Sequence, residues 1–192
     1  MNEPVIENGF AKVGNGSWLV GVRQPVAVMG SWVPHSLRGW IVPDRSRLQR
    51  IDVTGTACCS SAVRPFLTHL PCAAPLTVIS DKLLLAPVSA RKGGRVLRVI
   101  PFSYRSALCV TDCTEEWVVL ATKSRVTRMA LEDAQVMTVR MESAVAWSAK
   151  DPTGFCPRLR LADILLPRRK DSNLMLHFYG PGIVWMEGAD AS

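Results

Sequence analysis

Thirteen prolines are spread from Pro4 to Pro181, and their spacing restricts this chain more than any other feature. Proline lacks the backbone N–H and clashes with the preceding turn, so it breaks a helix interior. Between Pro4 and Pro101 the prolines leave little room for long helices. Short apolar runs with β-branched and aromatic content lie between the prolines instead: Trp18 to Val22, Val26 to Met29, Gly39 to Val42, Leu76 to Ile79 and, further on, Trp117 to Leu120. Short runs bounded by Gly, Pro, Asn or Asp signal strands. Two segments add a period of two. Met137, Val139 and Met141 alternate with Thr138, Arg140 and Glu142; Leu174, Leu176 and Phe178 alternate with Met175, His177 and Tyr179. That is the half-buried strand pattern. The chain reads as all-β with few short helices.

Elsewhere the pattern is less decisive. Val126, Met129, Ala130 and Met137 also fit helical spacing. The β-branched residues Val126, Thr127, Val136, Thr138 and Val139 favour a strand, a turn at Glu132-Asp133 and a second strand, with a helix as the alternative. Leu159 to Leu166, ended by Pro167, is a second helix candidate. Gly93-Gly94 predicts a hairpin turn, and Asp151 to Pro157 a Pro/Gly loop. No tandem repeat is evident. The expectation is one β domain over 1–192, or two similar halves, about 1–90 and 91–192, packed together.

At 192 residues and 48% hydrophobic, the chain can bury roughly 70% of its unfolded surface without disulfide or metal. Disordered, collagen-like and disulfide-scaffold classes are excluded. The amino terminus carries Glu3 and Glu7 and no basic residue up to Phe10, which does not fit a presequence. The longest stretch without a charged side chain, Pro65 to Ser80, is interrupted by Pro71 and Pro75, so no membrane span is expected. A cytoplasmic location follows as the expectation. There the six cysteines (58, 59, 72, 109, 113 and 156) would be reduced thiols used as small apolar residues.

Motifs that would carry chemistry are largely absent from the sequence. His35, His69 and His177 are too scattered for a cupin-like ligand set. Cys109 and Cys113 have no second pair at zinc spacing. There is no G-x-S-x-G elbow, no H-E-x-x-H and no phosphate-cradling G-x-x-x-x-G-K. Gly14-Asn15-Gly16 reads as a turn, and Glu115-Glu116 and Glu132-Asp133 as acids in polar turns. No enzyme activity and no cofactor or metal are expected.

The formal net charge is +7, which suits either solubility or an anionic partner. The positive residues cluster. Arg91, Lys92, Arg95, Arg98 and Arg105 form an acid-free group, and Arg158, Arg160, Arg168, Arg169 and Lys170 a second, opposed only by Asp163; Arg45, Arg47 and Arg50 form a third. Several cations on one face are what phosphate-backbone binding needs. Phe102 and Tyr104 flank the first group, as rings for base stacking would. The six tryptophans sit mostly in apolar runs and read as core.

The carboxyl-terminal third carries a resemblance. Leu131 to Trp147 (LEDAQVMTVRMESAVAW) and Leu174 to Glu187 (LMLHFYGPGIVWME) look like the closing portion of the altered-inheritance-of-mitochondria 24 family. Val145-Ala146-Trp147 and Gly180-Pro181-Gly182-Ile183-Val184-Trp185 match its ending. Gly180, Pro181, Gly182 and Trp185 are therefore a family-like structural motif, in which the glycines permit a sharp turn or bulge before the last strand. The resemblance implies a β-sandwich or shortened double-stranded β-helix similar to the tryptophan RNA-binding attenuation protein. It also implies assembly into trimers or larger rings through strand edges, and it does not imply catalysis. The function expected is thus a non-enzymatic homo-oligomeric scaffold or macromolecular interaction module. A nucleic-acid-binding module using the arginine clusters is the alternative, and a ligand-binding β-barrel a further one.

Overall fold

The computed structural model describes residues 4–21, 26–35, 48–61, 63–71, 76–88, 91–100, 103–110, 117–155 and 175–188. Among them every regular element is a strand, apart from one 3-10 turn at Ser80–Lys82; no helix there is long and apolar enough to cross a membrane. The chain is all-β, as the proline spacing predicts. The helix candidate Leu159 to Leu166 lies outside the described residues.

The first sheet begins with β1 (Val5–Glu7) and β2 (Phe10–Val13), joined through Asn8-Gly9 at φ 51° and 77°. Two residues with positive φ are what a tight hairpin demands, and Asn-Gly supplies them at least cost. Next, β3 (Gly16–Gly21) continues the line of β2, and both pair with the same edge of β5 (Leu48–Cys59), while β4 (Val26–His35) covers the other edge. Between the pairs Val13↔Ala57 and Gly16↔Val53 the long strand has one residue more than its partner. The excess is taken up as a bulge at Gly55, φ 95°, whose N–H donates to the Asn15 side chain. On its free side β3 pairs β8 (Leu83–Pro87), β8 pairs β11 (Trp117–Thr122), and β11 pairs β6 (Phe66–Pro71). Strand β6 then comes back alongside β1, so the sheet nearly closes into a barrel.

A second sheet has the order β12-β17-β14-β7-β10-β9. Its members are β7 (Leu76–Ile79), β9 (Arg91–Ile100), β10 (Ser103–Val110), β12 (Val126–Leu131), β14 (Ala144–Trp147) and β17 (Gly182–Glu187). The third consists of β13 (Val136–Arg140), β16 (Met175–Tyr179) and β15 (Thr153–Phe155). The first sheet takes β11 from beyond residue 91, and the second takes β7 from before residue 90, so strand pairing crosses the boundary between the two halves.

Three apolar layers separate these sheets. One, inside the curled first sheet, holds Trp18, Ile51, Leu85 and Val119. A second, between first and second sheets, holds Leu19, Val78, Leu120 and Trp185. The last, between second and third, holds Ile79, Val139, Trp147 and Phe178, with the Trp147 and Phe178 rings 5.4 Å apart and inclined at 61°. Strands β7, β8 and β14 are buried along their whole length. A strand with core on both faces is apolar at nearly every position; that explains LLLAP, AVAW and, apart from the buried Thr77, LTVI. Where only one face is covered the sequence alternates: Val139 and Met141 are buried while Thr138, Arg140 and Glu142 are exposed, and Leu176 and Phe178 are buried while Tyr179 is exposed.

Two expectations differ from what is seen. Gly93-Gly94 makes no hairpin; β9 runs straight through it, pairing Gly94↔Leu108 and Gly93↔Cys109, with a register shift at Lys92 beside Val110. Glycine inside a strand marks a bulge as readily as a turn. The Asp151 to Pro157 loop contains the short strand β15, which gains its hydrogen bonds from β16.

Candidate functional site

Strand–turn–strand is correct for 126–140, yet the two strands do not pair with each other. Strand β12 pairs β17 and β13 pairs β16, so the chain crosses from the second sheet to the third at two adjacent corners, residues 132–135 and 180–181. Gln135 N–H donates to Glu132 C=O at 3.2 Å, and Gly180 N–H to Gln135 C=O at 2.9 Å, tying one corner to the other. A Cβ on Gly180 would lie 1.9 Å from the Glu132 carbonyl oxygen, and one on Gly182 2.5 Å from Ala149 Cα. Both glycines are therefore required by close approach. Trp185 is buried in the layer between the first two sheets. This motif is structural.

At the opposite end of β12 and β17 from these corners, four chain segments converge on a cavity of about 330 Å³. They are the Ser80–Lys82 turn, the turn after β11, the Met141–Ser143 turn and the end of β17. At the floor lies Lys82, only 4% exposed. Its Nζ donates to the Glu187 carboxylate and to the Glu142 carbonyl. The other Glu187 oxygen accepts the backbone N–H of Lys123 at 2.9 Å. One buried ion pair thus holds all four segments, and a buried charge is tolerated only with such pairing. Burial pushes the Lys82 ammonium below its usual pKa, against the raising effect of Glu187. On the rim Arg64 binds Asp81 through its carboxylate, at 3.0 Å, and through its carbonyl. Lys123, Arg140 and Glu142 are exposed there, and Ser143 is half-buried. What the lining offers is hydrogen-bond donors and charge of both signs.

A second feature is an open edge. Among the described residues β12 ends the second sheet and β13 ends the third. Thr127, Arg128, Met129 and Ala130 are exposed in succession. Met129 is 39% exposed, and the cross-strand pair Val136 and Tyr179 are 56% and 41% exposed.

The sequence-derived basic residues fall elsewhere. Arg91, Lys92, Arg95 and Arg98 lie on β9, the opposite edge strand of the second sheet, and Arg105 lies on β10. The register Arg105↔Leu97 and Tyr104↔Arg98 places positions 95 and 105 on one face of this hairpin and 98 on the other. Arg158, Arg160, Arg168, Arg169 and Lys170 lie outside the described residues, as does Phe102. Among the described residues no three His, Cys, Asp or Glu side chains gather as a metal site. Sequence reasoning missed the pocket entirely: Lys82 and Glu187 are 105 positions apart, and neither stands in a motif.

These features define an all-β protein with a nearly closed sheet and two further sheets stacked on it. The same fold occurs in bacteria. The X-ray crystal structure of protein SPYM3_0169 from Streptococcus pyogenes matches with a TM-score of 0.74, over 97% of this chain and 92% of that one, at 12% sequence identity. No family model matches the chain, and no curated protein does. At 12% identity the likeness is one of fold, and fold does not carry function.

Proposed function

We propose that the chain is a non-enzymatic β protein that self-associates, as a trimer or larger ring, into a scaffold for other macromolecules. The observation that carries this reading is the open edge of β12 and β13. An exposed strand edge is a template for another chain, and proteins that stay monomeric blunt it with proline, inward charges or bulges. Strand β12 (VTRMAL) has no proline, one charge, and an unbroken register from Val126↔Glu187 to Leu131↔Gly182. Support also comes from the family-like ending, which falls on β14 and β17, the strands next inward from that edge. The altered-inheritance-of-mitochondria 24 resemblance and its attenuation-protein-like fold belong to the same proposal, since edge-to-edge rings are what that class builds.

The test is light scattering across a concentration series on the full chain. A fixed oligomer is expected, and Thr127→Lys with Met129→Lys, both at exposed positions, should reduce it to monomer while the far-ultraviolet circular dichroism of the fold is kept. A wild-type chain that is monomeric throughout would overturn the reading. A second reading, nucleic-acid binding, is favoured by the four basic residues on edge strand β9. It predicts affinity for labelled RNA or DNA that falls steeply with salt and is weakened by Arg95→Glu with Arg98→Glu.

A further inference from the structure

We infer that the cavity over Lys82 is a binding site for a small ligand bearing an oxyanion, phosphate or carboxylate. A surface dimple needs no buried charge, whereas this cavity stands on a lysine that is almost wholly buried and anchored at two points. Holding an ammonium out of water is unfavourable unless it is paired, and here that pairing fixes four turns around one space. The volume, about 330 Å³, lies at the small end of the range for metabolite pockets.

Charge then decides the ligand. Four cations, Arg64, Lys82, Lys123 and Arg140, face three carboxylates, Asp81, Glu142 and Glu187. Two of these carboxylates are already engaged, by Arg64 and Lys82. Among the described residues the Lys123 ammonium and the Arg140 guanidinium have no ion-pair partner and the Ser143 hydroxyl no hydrogen-bond partner. Lys82 has three donor hydrogens and two partners, which leaves one. Unspent donors therefore outnumber the single unspent acid, Glu142. A ligand oxyanion satisfies them through charge-assisted hydrogen bonds, the strong kind; Glu142 suits a hydroxyl or amino group carried by the same ligand. The site is independent of the β12 edge, so it stands whether or not the chain self-associates.

Amide chemical shifts of the full chain, titrated separately with inorganic phosphate, acetate and, as control, chloride at constant ionic strength, test this. Saturable shifts confined to the amides of Lys123, Glu142, Ser143 and Gly188 are expected with phosphate or acetate and not with chloride, and the stronger probe names the ligand group. Lys123→Gln with Arg140→Gln alters only exposed side chains, so the fold persists, and affinity should drop at least about tenfold. Shifts that never saturate, or a double variant that binds like the wild type, would overturn the assignment.

Discussion

At the residue scale, buried ionisable groups make the sharpest predictions. Replacing Lys82 with Met strands the Glu187 carboxylate, which is 11% exposed, and should cost about 3 kcal/mol in urea unfolding. Lys82→Met combined with Glu187→Met should recover much of that loss, because two apolar groups replace a desolvated pair. Strict additivity of the two single changes would show that the pair is not coupled. Cys59 behaves differently. Burial pushes its thiol up to about 12 from 9.0, so it stays protonated while the unfolded chain ionises. The unfolded state then binds fewer protons, and this residue's contribution to stability falls as pH rises from about 9 and levels off near 12. Cys59→Ala should remove that part of the alkaline slope, as read from unfolding curves at pH 8 and 10.5. Alkylation at pH 8 should reach half-buried Cys58 before Cys59.

At the element scale, the corners matter more than the strands they join. Gly180→Ala forces a Cβ against the Glu132 carbonyl. The cost should exceed the roughly 1–3 kcal/mol typical of overpacking, because backbone rather than a side chain must move. Met129→Ala, on the exposed face of β12, should change monomer stability by no more than about 0.5 kcal/mol; a large loss would mean that this edge is covered. Much of this level was legible beforehand. Leu76–Ile79 is β7 residue for residue, and the alternation at 137–142 and 175–179 separates the buried Val139, Met141, Leu176 and Phe178 from the exposed Thr138, Arg140, Glu142 and Tyr179. The glycine pair at 93–94 misled because a turn and a strand bulge call for the same residue. Which strands pair was not legible either: the turn at 132–135 invites a hairpin, and only β16 and β17, some forty to fifty residues later in the numbering, reveal that β12 and β13 belong to different sheets.

For the whole molecule, three stacked sheets leave two of the layers dependent on the second sheet. Phe178→Ala, at the layer between second and third, should cost about 3–5 kcal/mol and unfold the protein in one transition with the rest. A separate early transition would mean that the third sheet folds as its own unit. The sequence by itself determined the all-β class, the strand faces and the glycine corner, since proline spacing, period-two alternation and steric demand are local properties. Tertiary structure alone decided the pairing order, the open β12 edge and the Lys82–Glu187 pocket. Each of those joins residues far apart in the chain, and no local pattern records a partner that only the folded backbone brings within hydrogen-bond reach.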